Sequence, residues 1–313
     1  MNKNSLKKLI PLLFGLFLVY YSYNNTSIEN RADILNYISK ADYKFVLLSI
    51  FFGILSHLSR AFRWKYLLNP LGYKLDFLNS TMSIFACFLS NLGVPRSGEI
   101  LRASIIHYYQ KIPFEKSLGT IVTERIIDVL ILSIFIFIGI SISSKLIIPT
   151  FSLNINLFIY LLIFILISYL IFKAIYKKKL FKRFFVFFDG LKKGVFSISK
   201  IENKFQFYFH TIFIWSSYFF MFYIVKFSIP ETSNLDIESL FIAFIGGAIT
   251  MSLTNGGIGA YPLAIAVILN QFEVSYEASL AFGWIVWTSQ TLMIVVAGSL
   301  SFIFLPILNK NSK

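Results

Sequence analysis

Apolar stretches long enough to cross a bilayer recur along the chain, and short polar segments separate them. A transmembrane helix needs about 20 predominantly apolar residues to cross roughly 30 Å of hydrocarbon. The pattern therefore predicts about six spanning helices, near residues 9–23, 43–62, 117–140, 155–172, 205–227 and 278–305. We predict an all-α polytopic membrane protein that forms one integral membrane domain over residues 1–313.

Two further apolar runs are short, and each ends in a turn that contains glycine. The first covers residues 77–92 and stops at Gly93 and Pro95, and the second covers residues 240–253 and stops at residues 255–257. A second short helix is predicted after each turn. Non-helical backbone at membrane depth is tolerated only where protein or a water-filled cavity covers it. We therefore predict two re-entrant helical hairpins, hairpin A around the first turn and hairpin B around the second, whose tips face one polar cavity.

The two hairpins occupy matching positions in an internal repeat. Residues 90–94 (SNLGV) resemble residues 254–258 (TNGGI), and residues 114–118 (FEKSL) resemble residues 276–280 (YEASL). Chance likeness between loops rich in Asn and Gly is the less favoured explanation, because two strings match in the same order. Hairpin A is predicted to enter from the cytoplasm and hairpin B from outside, so the halves form an inverted repeat, which is typical of transporters. The halves cover about residues 1–140 and 141–313.

Composition and charge support a membrane protein and set its orientation. The chain is 57% hydrophobic and 14% charged, whereas about a quarter of the residues of a soluble protein are charged. The net charge of +14 does not indicate a nucleic-acid partner, because basic residues cluster beside apolar spans and in residues 173–204. This positive-inside pattern predicts a bacterial cytoplasmic (inner) membrane protein with both termini in the cytoplasm. Residues 173–204 are expected to form a solvated basic loop, and Arg60, Arg63 and Trp64 to anchor the second span at the interface.

The sequence carries no familiar catalytic motif. A Walker loop, HExxH and GxSxG are all absent. The single cysteine, Cys87, lies in an apolar run, and the three histidines are scattered without the spacing of metal ligands. We therefore expect no metal or other cofactor, and we do not expect an enzyme.

Charged side chains in and after hairpin A are the candidate site. One group lies in its turn and second helix, and another lies one to two turns into the following span, where Glu124 and Asp128 share a helix face. Charges inside a bilayer are costly, so they pair with one another or face water. Two alternatives stay open: an ion-pair network that locks hairpin A, and a pocket for a zwitterionic or anionic head group. Helix starts after the two turns also expose N–H groups that favour phosphate. The candidate residues are Asn91, Arg96, Glu99, Arg102, Glu124, Arg125, Asp128, Asn255, Gly256 and Gly257.

Three motifs resemble the lysylphosphatidylglycerol synthase transmembrane-region family, whose members are also described as flippase-like membrane proteins. The motifs are Arg63-Trp64, Pro95-Arg96-x-Gly98-Glu99-x-x-Arg102 and Glu124-Arg125-x-x-Asp128. The resemblance covers nearly the whole chain and implies the stand-alone form, without an aminoacyl-transferase domain. It also implies that the six charged candidates form a polar centre. The second half departs from the family pattern, with Pro262 where a Glu is common and Trp287 where an Arg is common.

These observations favour a lipid translocase that moves a phospholipid or lipid-linked head group between leaflets. The expected partners are membrane lipids, namely an anionic or zwitterionic phospholipid or a polyprenyl-linked lipid, and no nucleic acid. A homo-oligomer is compatible with the sequence. Two alternatives are an integral-membrane enzyme that acts on a lipid-linked substrate, with Glu124 or Asp128 as general base, and a non-catalytic partner that recruits a soluble lipid-modifying enzyme through residues 173–204.

Overall fold

A computed structural model describes residues 16–17, 19–24, 27–143, 182–254 and 256–310. Over these ranges the protein is helical and contains no strand, so the predicted all-α class is confirmed. The helices are α1 (Ile28–Lys40), α2 (Tyr43–Leu68), α3 (Phe77–Gly93), α4 (Ser97–Gln110), α5 (Phe114–Ile142), α6 (Lys182–Val195), α7 (Lys204–Val225), α8 (Ile237–Leu253), α9 (Ala260–Asn270) and α10 (Tyr276–Leu308).

Four segments of the described chain are long and apolar enough to cross a membrane. They are Tyr43–Leu71, Phe114–Ile142, Lys204–Ser228 and Tyr276–Leu308, and they contain α2, α5, α7 and α10. The predicted span at residues 155–172 and the start of the one at residues 9–23 lie outside the described residues. The protein is therefore an integral membrane protein with several apolar helices.

The two predicted hairpins are present as pairs of short helices, α3 with α4 and α8 with α9. The longest of these helices has 17 residues, and at about 1.5 Å per residue it is shorter than the hydrocarbon layer. In hairpin A the two helices touch closely, since a Cβ added at Gly98 would overlap the carbonyl oxygen of Cys87. The side chains of Asp76 and Asp236 cap the first helix of each hairpin by accepting a backbone N–H.

Hairpin A is fixed at one end of the helix bundle. Its two ends meet where the backbone N–H of Asp76 donates to the Gln110 amide oxygen. Asn309, which directly follows α10, lies at the same place. The side-chain amides of Asn79 and Asn309 donate to each other over 3.0 and 2.6 Å. The base of hairpin A thus lies beside the end of α10.

The base of hairpin B lies beside the start of α10, where the Asn270 side chain at the end of α9 donates to the Val274 carbonyl oxygen over 3.1 Å, two residues before α10 begins. There Asn30 of α1 donates to Glu277 over 2.7 Å, and the Tyr37 hydroxyl donates to Glu231 over 2.7 Å. The tips of the two hairpins touch each other, because a Cβ added at Gly256 would lie 2.8 Å from Leu92 Cδ2.

Each hairpin packs against the last long helix of the other half. Hairpin A contacts α10, where a Cβ added at Gly298 would lie 2.6 Å from the Leu89 Cβ. Hairpin B contacts α5, where a Cβ added at Gly139 would lie 2.8 Å from Ile245 Cδ1. Helices α2 and α7 pack against each other. This reciprocal contact fixes both hairpins between α5 and α10.

The described part of the predicted basic loop over residues 173–204 is helical. Residues 182–200 form α6 and a short 3-10 turn, and α6 packs against the start of α5. The contact is close because it uses two glycines, and a Cβ at Gly194 would overlap the Lys116 carbonyl oxygen. The side chains of Lys192 and Lys193 stay exposed, so the surface of α6 is basic as predicted.

Candidate functional site

Helices α2, α4 and α5 bring seven charged side chains together beside hairpin A. Each helix contributes residues three or four positions apart, and such residues lie on one helix face. We call this group the arginine–carboxylate cluster, and it consists of Arg60 and Arg63 from α2, Glu99 and Arg102 from α4, and Glu124, Arg125 and Asp128 from α5.

The innermost part of the cluster is an ion pair between hairpin A and α5. Arg102 Nη1 lies 2.6 Å from Glu124 Oε2, and Glu124 is 1% exposed. Arg63 Nε approaches the other oxygen of Glu124 at 3.6 Å. The Arg102 guanidinium also stacks over the Trp64 ring at 3.7 Å, and the Trp64 indole donates to Thr120 over 2.8 Å. Cation–π stacking and the ion pair offset part of the desolvation of Arg102, whose Nε and Nη2 have no hydrogen-bond partner among the described residues.

Asp128 forms the middle of the cluster and is surrounded by arginines. Arg60 Nη1 lies 2.8 Å from Oδ2, and Arg63 Nη2 lies 3.2 Å from Oδ1. Arg125 Nη1 is 3.8 Å from Oδ2. Arg60 also donates to the hydroxyl of Tyr218 on α7 over 3.3 Å. The cluster therefore connects the charged first half to the second half of the protein.

The outer part of the cluster lies at the tip of hairpin A. Arg125 donates from Nε and Nη2 to Glu99 Oε1 over 3.0 and 2.6 Å. Glu99 Oε2 accepts from the Asn91 amide over 3.3 Å, and the Asn91 oxygen accepts from the Gly98 N–H over 2.8 Å. The Arg125 side chain is 39% exposed, so this end of the cluster opens to the surroundings.

Arg96 lies apart from the cluster, at the exposed tip of hairpin A. Its φ is 59°, which is the left-handed region that non-glycine residues seldom adopt, and among the described residues it forms no ion pair. Counting Arg96 with the four cluster arginines gives five positive charges against three carboxylates, a net charge of +2. The cluster and Arg96 together therefore carry an excess of positive charge.

The tip of hairpin B is uncharged over its described residues 254 and 256–259. Gly256 and Gly257 adopt φ values of 63° and 74°, where an L side chain would be strained. The Trp287 indole donates to the Gly256 carbonyl oxygen over 2.7 Å, and the Gly257 N–H donates to Thr254 Oγ1 over 3.1 Å. Asn255 lies outside the described residues. Trp287 thus ties this tip to α10.

The expectation that both helix starts expose free N–H groups is wrong for several of them. The N–H of Gly98 is bonded to Asn91, and that of Ser97 donates to the Val94 carbonyl. In hairpin B the N–H of Tyr261 donates to the Gly257 carbonyl. Side chains, more than backbone N–H groups, therefore supply the positive charge near the tips.

Sequence reasoning missed two members of the cluster, Arg60 and Arg63, and misplaced Trp64. All three are buried, so the prediction of an interfacial anchor is wrong. Helix α2 continues to Leu68, which places these side chains one to two turns inside the helix. Their three-residue spacing was the available signal, because it puts both guanidinium groups on one face.

The other expected charged residues come together as an ion-pair network, with the exception of Arg96. Arg102 pairs with Glu124, as the alternative of an ion-pair network that locks hairpin A predicted, and Glu99 pairs with Arg125. The fold and this network define a polytopic α-helical membrane protein with a buried charged centre. A role for the network in substrate binding stays a prediction.

Comparison with known proteins gives the family. Residues 8–298 match the family described as the lysylphosphatidylglycerol synthase TM region. The chain belongs to this family, as its motifs predicted.

Two curated relatives are archaeal UPF0104 membrane proteins. The chain is 25% identical over 139 residues to one from Methanocaldococcus jannaschii, a match that covers 44% of this chain and 38% of the relative. It is 26% identical over 138 residues to one from Pyrococcus horikoshii, covering 43% and 40%. The chain thus spans about two fifths of the length of these relatives. No solved structure matches the chain.

Proposed function

We propose that the protein is a flippase-like translocase that moves the head group of a membrane lipid between the leaflets of the cytoplasmic membrane. The observation that carries this proposal is the arginine–carboxylate cluster beside the point where the two hairpin tips meet. A charged centre inside a membrane domain is costly unless it has a function or a partner. The net positive charge near the tips is suited to the phosphate that lipid head groups contain.

The architecture that we infer is six full spans and two re-entrant hairpins, arranged as an inverted repeat. Three observations support it: the hairpin bases lie at opposite ends of α10, the two tips touch, and each hairpin packs on the last long helix of the other half. The end that carries the exposed lysines of α6 is the cytoplasmic one by the positive-inside rule. Transporters with this symmetry bind their substrates between the repeats.

In this mechanism the head group binds between the tips while the acyl chains stay in the hydrocarbon. Two ion pairs, Arg102 with Glu124 and Arg125 with Glu99, hold hairpin A against α5. The tip of hairpin B, over its described residues 254 and 256–259, carries no charged side chain and so has no counterpart of the pair between Arg125 and Glu99. We infer that hairpin B is the more mobile element and opens the head-group site to alternate sides.

An enzyme that acts on a lipid-linked substrate is less well supported. The two candidate bases, Glu124 and Asp128, are both held in ion pairs with arginines, so these pairs would have to open before either carboxylate could take a proton from a substrate. Recruitment of a soluble enzyme is also less well supported, because the described part of the proposed recruiting loop is a helix packed on α5.

The test is a leaflet-resolved assay of a fluorescent phospholipid in proteoliposomes. Arg96→Ala removes an exposed charge at the tip and leaves the ion pairs intact, so we expect the fold to persist. Loss of one charge-assisted contact of about 1.5–3 kcal/mol slows transport about tenfold or more. Lys192→Ala, which removes an exposed charge on α6, is the matched control and should transport at the wild-type rate. Transport by the wild type at the rate of empty liposomes would refute the proposal.

A further inference from the structure

Arg125 occupies an unusual position, because it lies on an exposed and otherwise apolar face of α5. Val122 precedes it by three residues and Val129 follows it by four, so the three side chains share a helix face. The two valines are 37% and 61% exposed. Since the surroundings of an apolar exposed helix face in a membrane are lipid, the Arg125 guanidinium is reachable sideways from the bilayer.

Glu99 neutralises this guanidinium in a manner that a phosphate could reproduce. Both Nε and Nη2 of Arg125 donate to one carboxylate oxygen, Glu99 Oε1. The planar arginine side chain matches carboxylates and phosphates alike. Glu99 is 17% exposed, so a competing anion has access to the pair.

The charges around this pair favour a ligand with net negative charge over a zwitterion. All three carboxylates of the cluster, Glu99, Glu124 and Asp128, are already paired with arginines, so none is available for the ammonium group of a zwitterionic head group. The arginines, by contrast, are in excess by two when Arg96 is included. The balance therefore selects an anion.

We propose that Arg125 binds the phosphate of an anionic lipid that enters sideways between α5 and the tip of hairpin A, and that Glu99 occupies the place of this phosphate until the lipid displaces it. This inference rests on the proposed function and specifies its substrate class. Displacement also has a consequence for the hairpin, because the pair between Glu99 and Arg125 joins the tip of hairpin A to α5, and this connection is lost when the lipid takes the place of Glu99. Lipid binding is thereby coupled to the position of the tip.

The test measures equilibrium binding to the purified full chain in detergent, with phosphatidylglycerol, phosphatidylcholine and inorganic phosphate as probes. In Glu99→Gln the competing anion is gone, and we expect a Kd for phosphatidylglycerol about tenfold lower than that of the wild type, a change of ~1.4 kcal/mol. The double variant Glu99→Gln/Arg125→Gln removes both partners and should lose this gain and the binding. Glu202→Gln, which removes an exposed carboxylate, is the matched control and should leave the Kd unchanged.

Several outcomes would overturn the inference. If Glu99→Gln binds phosphatidylglycerol no more tightly than the wild type does, Glu99 does not compete with the lipid phosphate for Arg125. Equal affinity for phosphatidylcholine contradicts selection of a net anion, and equal affinity for inorganic phosphate contradicts the requirement for a lipid. If Glu99→Gln does not elute as a single species, Glu99→Asp replaces it, and its shorter side chain should lower the Kd by a smaller factor. If the Kd values change as expected but the protein does not move lipid between leaflets, the proposed translocase function is refuted and this inference stands. If the protein moves anionic and zwitterionic lipids between leaflets equally well, this inference is refuted and the translocase function stands.

Discussion

Replacement of Arg102 by methionine tests whether the innermost ion pair holds hairpin A in place. The change would leave the Glu124 carboxylate buried with only Arg63 nearby, at 3.6 Å. Two charges about 4 Å apart attract each other by about 4 kcal/mol at an effective dielectric constant of about 20. Removing one partner of a buried pair costs about 3–5 kcal/mol in soluble proteins. We therefore expect Arg102→Met to lower the free energy of unfolding by about 3–5 kcal/mol.

The assay is unfolding in mixed micelles by titration with dodecyl sulfate, followed by circular dichroism. Arg96→Met is the matched control, because Arg96 belongs to the same hairpin but is exposed and unpaired among the described residues. Its effect should stay within about 0.5 kcal/mol. The double variant Arg102→Met/Glu124→Leu removes both charges and should recover most of the loss, since a well-packed apolar pair often replaces a buried ion pair without cost.

Two results would contradict this reasoning. If Arg102→Met cost no more than Arg96→Met, the pair would not hold the hairpin. If the double variant were as unstable as the sum of the two single variants, the loss would come from packing against Trp64 and not from an unpaired charge.

Two further predictions concern the hairpins. Gly98→Ala should destabilise the protein by about 1–3 kcal/mol, because the new methyl group would overlap the Cys87 carbonyl oxygen. Gly93→Ala is the control and should have little effect, because no atom lies within 4 Å of its new Cβ. Thermal denaturation followed by size-exclusion chromatography measures both variants, and equal losses of stability would contradict close packing at Gly98. Trp287→Phe removes the N–H donor to the Gly256 carbonyl oxygen and should cost about 1 kcal/mol. It should also speed hydrogen exchange at the tip of hairpin B but not at that of hairpin A, and unchanged exchange would exclude a role for this bond.

The helical class and the two hairpins could be predicted because their signals are local. Hydrophobic length, Pro95 and the glycines of the turns are read directly from neighbouring residues. The pairing of the charges could not be predicted in the same way. The spacing of Glu124 and Asp128 gives a shared face, but the packing of α2 and α4 on α5 decides which arginine each carboxylate meets.

Arg60 and Arg63 show why positive charge near a helix end is ambiguous. The positive-inside rule counts basic residues near the ends of spans, and it gives the same result for a solvated arginine and for a buried one. The deciding fact is that α2 runs on to Leu68 and stays packed against its neighbours to that end, where Leu67 and Leu68 are buried. The close approach of α6 to α5 was equally hidden, because Gly119 and Gly194 look like ordinary small residues until the helices touch.

The reciprocal amide bonds between Asn79 and Asn309 have a consequence for biosynthesis. The two residues are 230 positions apart, so Asn79 leaves the ribosome long before its partner is made. Until α10 is inserted, hairpin A lacks one of the helices that it packs against, and the Asn79 amide lacks its partner Asn309. The first half of the protein is therefore incompletely packed until α10 is inserted. We expect a chain truncated before α10 to be a substrate for the quality-control proteases of the membrane.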